Sequence, residues 1–245
     1  MDRQWITQYS HHLNRDMHIL VHGQGGVPFM AFPCQNSMCT NYEEFGMIDT
    51  ISDYLDQGKI QFFTVDTVDR ESFSDKYGDK EHRAWMQECY YRYIIEEALP
   101  LVGQINGTGM LPVTFGCSLG ATHASIAFLR RPDLLGGMLC LSGLYDSTWF
   151  WDGWCNDILY DNSPAVFLAN MPADHPYIDI YNQRKIVICA GQGPWEDAGL
   201  PSVYAMRDIF TAKGIHAWVD LWGHDVSHDW PWWKKEMRYF LPHFI

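Results

Sequence analysis

A serine between two glycines is the residue of this chain best placed to do chemistry. The segment Gly116-Cys117-Ser118-Leu119-Gly120 has the pattern G-x-S-x-G, and it joins a short β-rich run to a helical run. A serine on such a sharp turn has strained backbone angles, and flanking glycines let the strand and the helix pass closely. The N–H of Leu119, at the helix start, can stabilise negative charge beside the serine. The pattern predicts a nucleophile at Ser118 and half of an oxyanion hole at Leu119; the alternative is a glycine-bounded turn with an ordinary serine.

A second oxyanion donor is expected from an earlier loop. The apolar run 27–32 reads as a strand and leads into the polar loop Pro33-Cys34-Gln35-Asn36-Ser37. In enzymes with a serine on a strand-to-helix turn, the second N–H comes from a loop after an earlier strand. We expect the backbone N–H of Gln35 to be this donor, although an ordinary surface loop would have the same composition.

Two adjacent carboxylates follow a later strand. The run 185–190, KIVICA, leads into a glycine-rich turn that contains Glu196 and Asp197. A carboxylate here can hold a histidine in the correct tautomer and stabilise the imidazolium form. The other function open to either residue is to act as an acid at the start of the helix predicted over 201–213.

The general base has two candidates, His224 and His228, after the last predicted strand. A histidine suits this role because its pKa lies near neutrality. The two also form an H-x-x-x-H pair that superficially resembles a zinc-protease motif. That motif needs a helix and a glutamate, whereas Gly223 and Pro231 indicate a loop and Asp225 replaces the glutamate. No metal site is therefore predicted.

Strands and helices alternate along the chain, which predicts an α/β fold with a mostly parallel central sheet flanked by helices. The turn at 22–26 is read as a hairpin between two strands, because a strand and not a helix follows its glycines. The other predictions are strands over 4–10, 17–21, 27–32, 61–65, 137–141, 185–190 and 217–221, and helices over 43–56, 81–101, 119–131 and 201–213.

The region of about 147–182 breaks this alternation and is crowded with aromatic residues. It reads as a cap inserted into the fold. We expect it to form an aromatic wall of a substrate pocket above the carboxyl ends of the strands; the alternative is a surface excursion packed on its own aromatic side chains.

Composition restricts the class of protein. The 245 residues predict a single domain over 1–245. With 17 Lys+Arg against 30 Asp+Glu, the net charge of -13 argues against nucleic acid and against anionic membrane surfaces as partners. The sequence shows no leader pattern, and its 7 scattered cysteines suit a reducing compartment. We expect a soluble cytoplasmic protein with a small-molecule substrate, and homo-oligomer formation stays open.

Taken together, these motifs resemble the esterase-D-like group of α/β-hydrolases, which includes feruloyl esterases, enterochelin esterases and mycolyltransferases. The resemblance spans nearly the whole chain and rests on the GCSLG turn, the LSGLYD and GQGPWEDAG segments, and HDWPWW near the end. The H-x-W-x-x-W pattern of the family falls on 228–233 and selects His228 over His224. A mycolyltransferase-like G-x-G spacing selects Asp197, which we take as the acid, whereas the spacing of other esterases of the group selects Glu196.

The resemblance implies a serine esterase that forms an acyl-enzyme without a metal or organic cofactor. The chain departs from the family at Pro33-Cys34, where many of these esterases have His-Gly. Two alternatives stay open: acyl transfer through the same intermediate, and a non-catalytic binding protein with a hydrolase fold.

Overall fold

The computed structural model describes residues 2–245 and contains one eight-stranded sheet in the order β1-β2-β4-β3-β5-β6-β7-β8. Strand β1 pairs antiparallel with β2, and β2 pairs antiparallel with β4; every other pairing is parallel. The mostly parallel sheet is therefore confirmed. The strands are β1 (Arg3–Ser10), β2 (Arg15–His22), β3 (Val27–Phe32), β4 (Ile60–Val65), β5 (Val113–Cys117), β6 (Gly137–Leu141), β7 (Lys185–Ala190) and β8 (Trp218–Leu221).

Helices cover both faces of the sheet, as its central strands require. Every residue of β5 and β6 is buried, and runs without polar alternation are typical of strands covered on both sides. The helices are α1 (Asn41–Glu44), α2 (Met47–Thr50), α3 (Ser52–Asp56), α4 (Lys80–Arg92), α5 (Leu99–Asn106), α6 (Leu119–Arg130), α7 (Asp157–Asp161), α8 (Pro164–Asn170), α9 (Tyr177–Tyr181), α10 (Leu200–Lys213) and α11 (Trp230–Phe240). One face of the sheet packs on α1, α2, α3 and α11, and the other on α4, α5, α6, α8 and α10.

The predicted hairpin at 22–26 is wrong. Strand β4 lies between β2 and β3, and β3 pairs in parallel with β4 and β5. The reason is the composition of β3: five of its six residues are buried, so it belongs inside a sheet covered on both faces rather than in an edge hairpin. The antiparallel partner of β2 along the chain is β1.

Two helical predictions differ from the structure in detail. The expected helix over 43–56 is three short helices, α1 to α3, and the first break falls at Gly46 with φ 71°. The expected helix over 81–101 continues to Asn106 through a π-helical segment, Tyr93–Ala98. Pro100 lacks an N–H, and the wider π-helical turn before it lets the helix continue past this residue.

The segment 147–182 forms a 3-10 helix (Ser147–Trp151) followed by α7, α8 and α9, and it adds no strand to the sheet. Trp151 anchors it to α4: its indole N–H donates to the Lys80 carbonyl at 3.1 Å, and the Arg83 guanidinium lies 4.5 Å from its ring centroid. Within residues 2–245, none of the helices combines the length and the apolar character that a membrane crossing requires.

Candidate active site

Ser118 stands on a strained turn between β5 and α6. Its φ of 57° and ψ of -129° are sparsely populated for a residue with a side chain. The turn is tight because backbone atoms approach each flanking glycine closely. A Cβ on Gly116 would lie 2.1 Å from the Gly120 carbonyl carbon, and a Cβ on Gly120 would lie 2.1 Å from the Phe32 carbonyl oxygen. The glycines therefore permit the strained turn predicted from the sequence.

Tyr42 connects this turn to the end of β3. Its hydroxyl donates to the Phe32 carbonyl at 2.7 Å and accepts the Cys117 N–H at 3.1 Å. Cys117 is fully buried, and burial raises the pKa of its thiol well above the usual value. The thiol therefore stays protonated and fills the core beside the serine.

His228 contacts the serine hydroxyl directly. Its Nε2 lies 2.9 Å from Ser118 Oγ, which is hydrogen-bond distance for proton transfer. The loop that carries it is fixed by a hydrogen bond from its backbone N–H to the Pro194 carbonyl at 3.0 Å. The Trp233 ring packs edge-on against the imidazole, with 4.9 Å between ring centroids. The other candidate, His224, is exposed and lies against the Gln192 carbonyl.

The carboxylate behind His228 belongs to Glu196. Its Oε2 lies 3.2 Å from His228 Nδ1, and only 1% of the residue is exposed. The preference for Asp197 is corrected here, because Asp197 is exposed and lines a neighbouring groove. Trp195, at φ 72°, lies in a turn just before these two carboxylates. After this turn the side chain of Glu196 points into the protein and that of Asp197 points into the groove.

Ser142 and Trp233 complete the surroundings of the acid. The Ser142 hydroxyl donates to Glu196 Oε1 at 2.5 Å, and the Trp233 indole N–H donates to Ser142 Oγ at 3.0 Å. These bonds fix the carboxylate in the orientation that meets His228. Sequence reasoning did not find this role, although the last tryptophan of the H-x-W-x-x-W pattern is the residue that supplies the donor.

Glu236, one turn after Trp233 on α11, is a second buried carboxyl on this side of the sheet. Both its oxygens are buried, and neither has a hydrogen-bond partner among residues 2–245. Burial raises its pKa to about 8, and the charges of Glu196 and Asp220 add to the rise. The nearby Cys189 thiol lowers the pKa of Glu236 in part, although it makes no hydrogen bond of standard geometry with either carboxyl oxygen.

The two predicted oxyanion donors line the same small pocket as Ser118 and His228. Leu119 is the first residue of α6, so its N–H has no acceptor within the helix. The Gln35 N–H likewise has no acceptor in the described part of the chain. Both amides are therefore available to an oxygen of a bound substrate.

The loop that carries Gln35 is held by side chains on either side of it. The Asn41 amide oxygen accepts the Cys34 N–H at 3.0 Å, and Asp69 Oδ2 accepts the Asn36 N–H at 3.0 Å. These two hydrogen bonds hold the loop of Gln35 in a defined geometry.

A buried hydrogen bond to a histidine fixes Asp69 in turn. Its Oδ1 lies 2.8 Å from Nε2 of His123 on α6, and both side chains are almost fully buried. No motif in the sequence singles out His123. The structure shows that it connects the helix behind Ser118 to the loop of Gln35, and no spacing along the chain indicates this contact.

The pocket at Ser118 has a volume of about 140 Å³ and an aromatic rim. The rim consists of Trp149 and Phe150 from the aromatic segment and Trp195 from the turn before Glu196. The expectation of an aromatic pocket wall therefore holds for part of 147–182. Other aromatic residues of this segment, such as Trp151 and Tyr181, are buried in the core instead.

Comparison with known proteins places this chain. The family model described as "Putative esterase" matches residues 10–244. A solved ferulic acid esterase superposes with a TM-score of 0.76 at 15% identity, over 99% of this chain and 97% of that one. An S-formylglutathione hydrolase from Agrobacterium tumefaciens gives 0.74 at 16% identity, over 99% and 94%. A fluorophosphonate-binding serine hydrolase from Staphylococcus aureus gives 0.73 at 14% identity, over 99% and 98%.

A search of curated protein sequences finds no significant match. The identities to the solved structures are low, so these establish the α/β-hydrolase fold, while the family model spans nearly the whole chain. The chain therefore belongs to the esterase family of α/β-hydrolases and is a carboxylic-ester hydrolase.

Proposed function

We propose that the chain is a serine esterase that hydrolyses a carboxylic ester through an acyl-enzyme, with Ser118, His228 and Glu196 as its catalytic triad. The observation that carries the proposal is the unbroken line of contacts from Ser118 Oγ to His228 Nε2 at 2.9 Å and from His228 Nδ1 to Glu196 Oε2 at 3.2 Å. This order of nucleophile, base and acid is the arrangement that activates a serine.

Acylation begins when Ser118 Oγ attacks the ester carbonyl carbon. The hydroxyl proton passes to His228 Nε2, and the carbonyl electrons move to the oxygen, which the N–H groups of Leu119 and Gln35 bind. Glu196 accepts the Nδ1–H bond and stabilises the imidazolium. The intermediate then collapses, the bond to the alcohol oxygen breaks, and His228 returns the proton to the leaving alcohol.

Deacylation repeats these steps with water. His228 takes a proton from the water, whose oxygen attacks the acyl carbon, and the same two N–H groups bind the oxyanion. The bond to Ser118 Oγ then breaks, the serine recovers its proton, and the carboxylic acid leaves. No step in this scheme uses a metal ion or an organic cofactor.

The setting of the reaction is also a proposal. The partner is a small-molecule ester, since the catalytic pocket is narrow and the net charge of -13 opposes polyanionic partners. All 7 cysteines are free thiols in the structure, which supports a reducing compartment such as the cytoplasm.

The test is hydrolysis of p-nitrophenyl acetate by the wild type and by Ser118→Ala. The wild type should turn over, and the variant should lose at least about a thousandfold in kcat, because the nucleophile is gone. Circular dichroism should show the same fold for both. A folded variant with undiminished turnover would reject Ser118 as the nucleophile.

The neighbouring carboxylates provide a matched pair for the acid. Glu196→Gln keeps the shape but removes the charge that orients and stabilises His228, so we expect kcat to fall by about 10³ to 10⁴. Asp197→Asn makes the same chemical change one residue away, on an exposed side chain, and should leave acetate turnover within about threefold of wild type. The reverse ranking would return the role to Asp197.

A further inference from the structure

A groove runs beside the catalytic pocket, between α8 and α10. It has a volume of about 560 Å³ and shares Leu144, Trp149 and Ala198 with the pocket at Ser118. Its walls are mostly small or apolar side chains: Ala165, Val166 and Ala169 from α8, and Pro201, Ala205 and Ile209 from α10. The groove is therefore a direct extension of the space in which the ester must lie.

The hydroxyl of Ser202 and one oxygen of Asp146 are already hydrogen-bonded within the protein. The Ser202 hydroxyl donates to the Gly199 carbonyl at 2.8 Å and accepts the Tyr145 N–H at 3.0 Å. One oxygen of Asp146 accepts both the N–H and the hydroxyl of Thr148, at 3.0 and 2.6 Å. Apart from the two carboxylates, the walls of the groove therefore favour apolar groups of a ligand.

Volume indicates that substrate must enter this groove. Sites for organic ligands usually measure about 300 to 1,000 Å³, and the pocket at Ser118, at about 140 Å³, is smaller than that. It can hold the ester group itself and a few atoms beyond it. The groove and the pocket together fall in the usual range, so a substrate larger than an acetate ester extends between the two helices.

The position of His228 assigns the groove to one side of the ester. His228 lines the pocket but not the groove, and it must protonate the leaving alcohol. The alcohol side of the ester therefore faces His228. The acyl side points along Leu144 and Trp149 into the groove.

Carboxylates stand at the groove as well. Asp146 and the exposed Asp197 both line it, and the whole chain carries a net charge of -13. An acyl chain that ends in a carboxylate would meet two like charges, besides the cost of leaving water.

Resting on the proposed esterase function, we propose that the groove between α8 and α10 is the acyl site and that it selects esters of extended, uncharged, apolar carboxylic acids over short or anionic ones. Chain length and charge of the acyl group are then set by residues outside the triad. Ala205 determines the depth of the groove from the α10 side, and Asp197 contributes to the discrimination against negative charge.

The first experiment compares p-nitrophenyl hexanoate with p-nitrophenyl acetate. The wild type should prefer hexanoate by at least about tenfold in kcat/KM, since the additional methylenes become buried.

Ala205→Trp should fill the groove. It should reduce kcat/KM for hexanoate by at least about tenfold and leave kcat/KM for acetate within about twofold. Ala169→Trp blocks the groove from α8 and serves as a second variant if the first does not fold.

The matched control is Ala212→Trp, an exposed position on the same helix that does not line the groove. It should leave both substrates unchanged. An equal loss on both esters in the groove variants, or no loss on either, would overturn the acyl site. Hexyl acetate carries the same chain on the alcohol side, and a loss confined to it would overturn the acyl assignment.

The charge experiment uses the mono-p-nitrophenyl ester of adipic acid, which adds a terminal carboxylate to the same acyl length. The wild type should hydrolyse it at least about tenfold more slowly than hexanoate. Asp197→Asn should raise the ratio of the adipate rate to the hexanoate rate about threefold, since one of the two like charges is removed. Adipate turned over as fast as hexanoate would reject the charge selection.

These outcomes separate the two proposals. Acetate hydrolysis that depends on Ser118, with no dependence on chain length or on Ala205, would retain the esterase and remove the acyl site. Hydrolysis of neither ester by folded wild-type protein would reject both.

Discussion

Replacing the buried Glu236 by glutamine should make the free energy of unfolding less dependent on pH. Both oxygens of this carboxyl are buried, without a hydrogen-bond partner anywhere in residues 2–245. Burial is the largest cause of its raised pKa, and the negative charges of Glu196 and Asp220 add to it. A protonated carboxyl is therefore favoured in the folded state, and ionisation opposes folding.

The magnitude follows from the two pKa values. The pKa is about 8 in the folded chain against a usual value of 4.5. Between these values the unfolded state binds fewer protons, so stability that is fully present below 4.5 is lost as the pH rises towards 8. The slope is about 1.4 kcal/mol per pH unit, which amounts to about 2 kcal/mol between about pH 6 and pH 8.

Urea denaturation followed by tryptophan fluorescence measures this effect at about pH 6 and pH 8. Subtracting the unfolding free energy of the wild type from that of Glu236→Gln removes the pH dependence that the two proteins share. The difference in unfolding free energy should move in favour of the variant by about 2 kcal/mol from the lower to the higher pH. The exposed Glu81→Gln is the control: it makes the same chemical change without removing a buried carboxyl, and its difference should be flat between the two pH values.

A Glu236→Gln difference that stays constant within about 0.5 kcal/mol between the two pH values would refute the reasoning. It would mean that Glu236 is ionised in the folded state near neutrality. A positive charge or water would then have to contact the Glu236 carboxylate on the buried face of α11.

Two further predictions concern the supports of the site. Trp233→Phe keeps an aromatic ring but removes the indole N–H that donates to Ser142. We expect kcat for p-nitrophenyl acetate to fall by about tenfold with KM nearly unchanged. A variant that loses stability but keeps the wild-type kcat would contradict this. Gly120→Ala places a Cβ 2.1 Å from a backbone oxygen at the end of β3 and should lower the free energy of unfolding by about 3 kcal/mol or more. Gly103→Ala, on a helix with open space around it, should instead raise it by about 0.5 to 1 kcal/mol, so equal thermal shifts for the two alanine variants would reject the packing argument.

The fold and two members of the proposed triad could be predicted from the sequence because their signals are local. The glycines around Ser118 answer a steric requirement within five residues, and the alternation of apolar strands with helices follows from burial on both faces of a sheet. His228 was selected over His224 by a family pattern, and the structure places it 2.9 Å from Ser118.

The choice between Glu196 and Asp197 depended on side-chain direction, which spacing does not encode. The residue before them, Trp195, has φ 72°, and nothing in the identity of a tryptophan indicates this left-handed conformation. A spacing rule borrowed from relatives therefore selected the neighbour that points into the groove.

Contacts between distant segments were also beyond the sequence. The pair of Asp69 and His123 joins residues 54 positions apart, and Trp233 reaches Ser142 over 91 positions. The failed hairpin at 22–26 has the same origin, since the place of β3 in the sheet depends on pairing with β4 and β5 and not on its own turn.

The most direct test of the central claim is the intact mass of the folded protein after treatment with a fluorophosphonate, followed by peptide mapping. An activated serine attacks phosphorus, and fluoride leaves. The account predicts a single adduct on Ser118, absent in Ser118→Ala and strongly slowed in Glu196→Gln but not in Asp197→Asn. No adduct on the folded wild type, or an adduct that persists in Ser118→Ala, would contradict it.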